Sequence, residues 1–177
     1  MQQLKPFEMT DSPIAVSADL HIRAQRFSFE YVVTDAGDLV SVPKDSFELA
    51  SAKRQDGLWQ TTCFEAFIRP MTGKAYYEMN FSFDGLWNAY KFDDYRSPAK
   101  LVPTDDFRVI AMKWDAVRFK FSVEVESSKP LGDLAVSLTT VVAEKTGHKH
   151  YFALNHAGSK PDFHLAESFT LRKVSSK

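Results

Sequence analysis

The chain has 177 residues, 44% of them hydrophobic and 25% charged, with 22 basic and 23 acidic side chains for a formal net charge of −1. That length suits one domain, here residues 1–177, and the composition excludes a disordered chain, a collagen and a coiled coil. With no basic field to draw nucleic acid and no basic run to mark a membrane surface, the expected partner is a small molecule.

The N-terminal run Met1-Gln2-Gln3-Leu4-Lys5-Pro6 lacks a charged region followed by an apolar one, so no signal peptide is expected and the expected location is cytoplasmic. No window approaches the roughly 18 consecutive apolar residues of a membrane span. Period-two alternation then dominates. Ile14, Val16, Ala18, Leu20 and Ile22 alternate with polar residues, and so do Phe27, Phe29, Tyr31 and Val33, each set predicting a strand with one wet face. A short strand is expected near 39–42, followed by a strand-poor stretch over 43–58 in which Phe47 to Lys53 could form one helical turn. Strands follow near 61–69, 76–83 and 86–92, with a turn at Pro70-Met71-Thr72-Gly73. Asp84-Gly85 between two aromatic runs reads as a two-residue type I′ hairpin. After a second strand-poor stretch over 93–105 come strands near 106–114, 117–125, 134–143, 149–155 and 168–174. Turns at Asp115-Ala116, Gly132-Asp133 and Thr146-Gly147 separate them, and a polar loop spans 156–166. About ten short strands with no sustained helical periodicity predict an all-β protein, an antiparallel sandwich or barrel. The aromatic content of 14%, including 15 Phe, favours the same class.

The chemistry concentrates in the middle of the chain. Cys63 and Glu65 alternate with Phe64, Ala66 and Ile68. Tyr77, Met79, Phe81 and Phe83 share one face of the next strand, and Tyr76, Glu78, Asn80 and Ser82 the other. A two-residue loop at Asp84-Gly85 would set Ser82 opposite Trp87 and Glu78 opposite Lys91. One sheet face then gathers Glu65, Glu78, Asn80, Trp87 and Lys91, and a one-residue slip would reverse this arrangement. An indole beside amide and carboxylate groups suits a sugar ring, which stacks its apolar face and bonds its hydroxyls. The alternative is a solvent face carrying a Glu78–Lys91 pair. Glu65 and Glu78 could also serve as a carboxylate pair for glycosidic acid/base work.

Other candidates are weaker. His148 and His150 stand two apart and could join Asp162 or His164 around a metal, or lie exposed after a turn. His156, Asp162 and His164 could line a pocket rim, or His164 could cap carbonyls. Cys63, the single cysteine, excludes an internal disulfide and a cysteine-based zinc cluster and reads as a buried inert thiol. Asp93-Asp94 and Asp105-Asp106 could contribute oxygen ligands to calcium but lack a calcium-loop spacing. There is no Gly-x-Ser-x-Gly elbow and no Gly-rich phosphate loop.

The runs Gly57-Leu58-Trp59-Gln60-x-Thr62-Cys63-Phe64-Glu65-x-Phe67, Tyr77-Glu78-x-Asn80 and Asp84-Gly85-x-Trp87-x-Ala89-Tyr90-x-Phe92 combine with Tyr95-Arg96 and Lys160-Pro161-Asp162-Phe163-His164. Together, over about residues 14–172, they resemble the bacterial DOMON-like proteins. These are relatives of the family 9 carbohydrate-binding modules and of DOMON haem- or sugar-binding domains. The resemblance implies a β-sandwich of galactose-binding-like or immunoglobulin-like jelly-roll architecture and small-ligand binding rather than catalysis. Sugar-binding relatives hold ligands between aromatic rings with polar partners, parts that Trp59, Trp87, Glu78, Asn80 and Arg96 could take here. Haem-binding relatives use Met and His ligands, whereas Met79 falls on the core-facing side. The expectation is non-catalytic binding of a carbohydrate by Trp59, Glu65, Glu78, Asn80, Trp87, Arg96, His156, Asp162 and His164. No cofactor is expected, with calcium or haem as alternatives. A sugar-processing enzyme using Glu65 and Glu78 is the competing function.

Overall fold

A computed structural model describes residues 1–34 and 39–174. Fourteen strands are present among them: β1 (Gln2–Gln3), β2 (Lys5–Pro6), β3 (Ala15–Arg23), β4 (Arg26–Thr34), β5 (Phe47–Leu49), β6 (Lys53–Arg54), β7 (Cys63–Pro70), β8 (Tyr76–Phe81), β9 (Leu86–Phe92), β10 (Phe107–Asp115), β11 (Lys120–Ser127), β12 (Leu134–Ala143), β13 (Lys149–Ala153) and β14 (Leu171–Lys173). Short 3-10 turns occupy Leu58–Gln60 and Ala166–Ser168. The strands form two sheets, one in the order β1-β3-β4-β11-β10-β5 and the other β2-β13-β12-β7-β8-β9-β6, with β14 beside β12. Every pairing is antiparallel except the two-residue contact of β6 with β9. The expected sandwich is therefore the fold, and among the described residues no helix is long and apolar enough to cross a membrane.

The alternation in β3 and β4 does what it predicts. Val16, Ala18, Leu20, Phe27, Phe29, Tyr31 and Val33 are buried against the second sheet, while the intervening residues face outward. The opposing face supplies Phe64, Ala66 and Ile68 from β7, Tyr77, Met79 and Phe81 from β8, and Val136 and Leu138 from β12. Phe64 joins the two layers by stacking on Phe121, with ring centroids 4.7 Å apart. Tyr31 donates its hydroxyl to the Glu65 carbonyl at 2.7 Å, a polar bond inside the apolar layer. Each of these fully buried large side chains contributes roughly 1.5–3 kcal/mol over leaving it in water.

The second sheet departs from the one-wet-face pattern. β7, β8 and β12 are buried on both faces, because loops and the 3-10 turns fold back over its outer side. Leu58, Phe67, Tyr76, Tyr90, Phe92, Phe163 and Phe169 form a second, smaller apolar cluster there.

Several local expectations are corrected. The β8–β9 connection is a three-residue loop, Phe83 to Gly85, closed by Ser82 N–H donating to the Leu86 carbonyl at 3.0 Å and Gly85 N–H to the Ser82 carbonyl at 3.3 Å. Gly85 sits at φ +74°, the left-handed residue that turns a type I bend into a bulged hairpin. The extra residue shifts the register by one, so Trp87 lies opposite Phe81, Asn88 opposite Asn80 and Tyr90 opposite Glu78. Residues 117–119 turn instead of extending. The Asp115 carboxylate accepts from the backbone N–H of Val117 and of Arg118, each at 3.1 Å, and a local bond of this kind competes with the ladder. The stretch 47–53 begins with strand β5 in place of the expected helical turn. Around 39–42 only an isolated Val40–Glu144 bridge forms.

Candidate functional site

A pocket of about 480 Å³ opens on the outer face of the second sheet. Its floor is made by adjacent strands: Glu65 and Phe67 on β7, Glu78 on β8, Phe92 on β9 and Val141 on β12. Trp59 from the first 3-10 turn, with Lys149 and Tyr151 from β13, forms one wall. Arg96, Pro98, Ala99 and Leu101 from the loop after β9, and Pro161, Phe163 and His164 from the loop after β13, complete the rim. Phe67, Phe92 and Tyr151 alternate with core residues along their strands and so leave the sandwich on this side.

The two floor carboxylates are diagonal neighbours. Glu65 pairs with Asn80 and Glu78 with Phe67 across β7 and β8, so their side chains share one face. They are only 3% and 5% exposed. Thr139 on β12 donates to Glu65 Oε2 at 3.1 Å, and Asn80 Nδ2 donates to Glu78 Oε1 at 2.8 Å. Burial, reinforced by the Glu78 charge, pushes Glu65 up to about 8 against the bonds from Thr139 and Cys63. Burial likewise pushes Glu78 up to about 7, opposed by Asn80 and Arg96.

His164 stands over Glu78, with Nε2 3.6 Å from Glu78 Oε2 and Nδ1 2.8 Å from the Tyr76 hydroxyl. Burial and then the Arg96 charge push the imidazole down to about 4, so it is neutral at pH 7. A Tyr76 hydroxyl donating to Nδ1 leaves the proton on Nε2, aimed at the carboxylate. Tyr76 in turn accepts the Arg96 backbone N–H at 3.2 Å, and Arg96 is held at φ +47°. The Arg96 guanidinium bonds Asp162 at 3.0 Å, and the Tyr95 hydroxyl bonds the same carboxylate at 2.6 Å. This ties the two rim loops together. Against burial, which raises it, the bonds from Tyr95, the His164 N–H and Arg96 hold the Asp162 carboxyl below its ordinary range.

Of the residues singled out in the sequence, Trp59, Glu65, Glu78, Arg96 and His164 line this pocket. Asn80 is fully buried beneath it and orients Glu78, while its own Oδ1 has no hydrogen-bond partner among the described residues. Asp162 braces Arg96 from behind the rim. Trp87 is elsewhere: the shifted register turns it into the sandwich core, where its Nε1 donates to the Ala52 carbonyl at 3.3 Å and the Arg54 guanidinium lies 4.5 Å over the ring. Lys91 sits opposite Tyr77 on that same opposite face, so the expected Glu78–Lys91 pairing does not form. His156 lies outside the pocket, its Nε2 2.8 Å from the Lys5 carbonyl and its ring edge-on to Phe7.

His150 pairs with Glu144 at 2.7 Å and touches His148. Among the described residues no group of three His, Cys, Asp or Glu side chains is placed to hold a metal ion. Met79 is buried between the sheets, on the opposite side of β8 from the residues facing His164, so these two do not fit an axial haem pair. Cys63 is buried, and burial pushes its thiol well above the ordinary value. Asp94 bonds Lys74 at 3.3 Å, Asp105 pairs with Arg54 at 3.1 Å, and Asp106 accepts from Tyr77 at 2.8 Å. Phe67, Phe92, Tyr151 and Phe163 were not anticipated in the pocket. For Phe67, Phe92 and Tyr151 the signal is an aromatic residue at the polar position of an alternating strand, whereas Phe163 lies in the loop after β13.

No protein-family profile matches the chain, and no curated protein matches it. A solved structure from Bacteroides uniformis ATCC 8492, described as a "putative carbohydrate-binding protein", shares the fold. It superposes with a TM-score of 0.61 at 14% identity, over 96% of this chain and 83% of that one.

Proposed function

We propose that the protein is a carbohydrate-binding β-sandwich of the DOMON-like group, and that the pocket on the outer face of the second sheet is its saccharide site. One observation carries the reading: aromatic surfaces from Trp59, Phe92 and Phe163 surround carboxylates that are fixed in place by Thr139 and Asn80. A sugar ring offers apolar C–H faces for the rings and hydroxyls for the carboxylates, Arg96 and the His164 Nε2–H. The pocket volume of about 480 Å³ accommodates a mono- or disaccharide. The solved structure that shares the fold is described as a "putative carbohydrate-binding protein", which supports the carbohydrate part of the reading. Binding in this form needs no cofactor. Isothermal titration with a panel of mono- and disaccharides tests it. Trp59→Ala and Glu78→Gln are each expected to weaken the responding sugar at least tenfold. Wild-type affinity in both variants would sink the assignment.

A second reading rests on Glu65 and Glu78 titrating near neutrality, the range useful to a general acid and base. It makes the pocket the active site of a sugar-processing enzyme. Product release from a bound saccharide, lost in Glu65→Gln, would establish it. Unchanged saccharide after prolonged incubation would leave binding alone.

A further inference from the structure

We propose that the saccharide this pocket takes carries a free amine, and that its ammonium seats against the paired carboxylates of Glu65 and Glu78. The inference rests on the carbohydrate reading and narrows it to a ligand class.

Two carboxylates on neighbouring strands are buried to within a few per cent, and both form the pocket floor. Neither is paired with a lysine or arginine among the described residues. Glu65 accepts from the neutral Thr139 hydroxyl, and Glu78 from the neutral Asn80 amide with His164 beyond it. The two cations that reach the pocket are engaged higher up. Arg96 is bonded to Asp162, and the Lys149 ammonium donates to the Trp59 carbonyl at 3.5 Å. Arg96 acts on Glu78 only from a distance, and a buried carboxylate pair with no cation in contact is costly, so the site favours whatever brings positive charge against it. At pH 6.5 burial keeps the floor carboxyls protonated, and an incoming ammonium favours the ionised forms and releases those protons to solvent. The carboxylates it meets are then pure acceptors that keep lone pairs after the Thr139 and Asn80 bonds. An ammonium supplies three donors and the missing charge from one atom. A hydroxyl supplies one donor and no charge, and an acetylated amine supplies one donor and no charge.

The surroundings favour an organic cation over a metal ion. Calcium takes about 6–8 oxygen ligands, whereas this floor offers two carboxylates and, among the described residues, no third acidic partner. The rings of Trp59, Phe92 and Phe163 suit the carbon skeleton that carries the amine, and aromatic faces attract ammonium groups directly.

The test is isothermal titration at pH 6.5 with glucosamine, N-acetylglucosamine and glucose, and with their β-1,4-linked dimers, against the full chain. Calcium chloride is titrated separately. The amino sugar is expected to bind at least tenfold more tightly than both its acetylated and its hydroxyl counterparts. That ratio should fall below threefold in Glu65→Gln and in Glu78→Gln. Neutral sugars binding as tightly as the amino sugar would overturn the amine while leaving the carbohydrate reading intact. An amine preference that survives both substitutions would overturn the seat. Calcium alone binding to the floor and excluding the amino sugar would also overturn it. Failure of every saccharide to bind would overturn both readings.

Discussion

Replacing Glu65 and Glu78 together by glutamine is expected to abolish a decline in folding stability that the wild-type chain shows as pH rises through neutrality. In the folded protein Glu65 is pushed up to about 8 and Glu78 to about 7, from an ordinary value of 4.5. Above pH 4.5 the folded chain therefore holds protons that the unfolded chain has released, and stability falls with rising pH. His164 acts in the opposite sense between about 4 and 6.5, because its imidazole is charged only in the unfolded chain there. Above pH 6.5 that opposition ends. Two excess protons are held from pH 6.5 to 7, one from pH 7 to 8, and none beyond. At about 1.4 kcal/mol per proton per pH unit, the loss between pH 6.5 and 8 is about 3 kcal/mol. For a domain of this length each kcal/mol moves Tm by roughly 2–4 °C, so the midpoint should drop by roughly 6–12 °C. Circular dichroism melts at pH 6.5, 7.2 and 8.0, at constant ionic strength, measure the effect. A wild-type midpoint that stays level or rises, or a double variant that keeps the wild-type slope, would refute the reasoning.

Four further outcomes are expected. Trp87→Ala should cost about 3–5 kcal/mol in urea unfolding, because it empties a core position, yet leave saccharide affinity of the folded protein unchanged. Trp59, half-buried on the pocket wall, should show the reverse: an alanine there lowers affinity in titration calorimetry with little change in stability. Tyr31→Phe should destabilise by about 1–2 kcal/mol in the same unfolding assay, since it leaves the buried Glu65 carbonyl without its hydroxyl donor. Gly85→Ala should cost about 1–2 kcal/mol in thermal melts, because φ is +74° and the added Cβ would meet Leu49 Cδ1 at 2.5 Å.

Most of the frame was legible because one sheet obeys a simple rule. In β3 and β4 the apolar side chains face one neighbouring layer, and period two reports them directly. The second sheet is covered on both sides, so Phe67, Tyr76 and Phe92 occupy positions that alternation assigns to solvent. Their aromatic character was the visible trace of a second apolar layer. Glu65, Glu78 and Asn80 were placed on one face correctly, because their relative position depends on alternation and on pairing within β7 and β8. Trp87 was misplaced because its position depends on the loop. Asp-Gly fits a two-residue turn, but Gly85 in the left-handed region builds a three-residue one, and the difference of one residue exchanges the faces of β9. The rim tie from Tyr95 and Arg96 to Asp162 joins residues 66 or 67 positions apart, and no local pattern reports such a bond.

The sheets end on fragments. β1 and β5 border the first sheet and β2 and β6 the second, each only two or three residues long. A longer, flat border would present a row of free amides and carbonyls on which another chain could nucleate a cross-β stack. Here the borders interrupt that row. β2 is Lys5-Pro6, whose proline has no amide hydrogen to offer, and β6 carries the exposed Lys53, whose charge repels a like edge. The same small strands that complete the ladders thus act as stoppers against runaway association, a protective role assigned to the least conspicuous pieces of the fold.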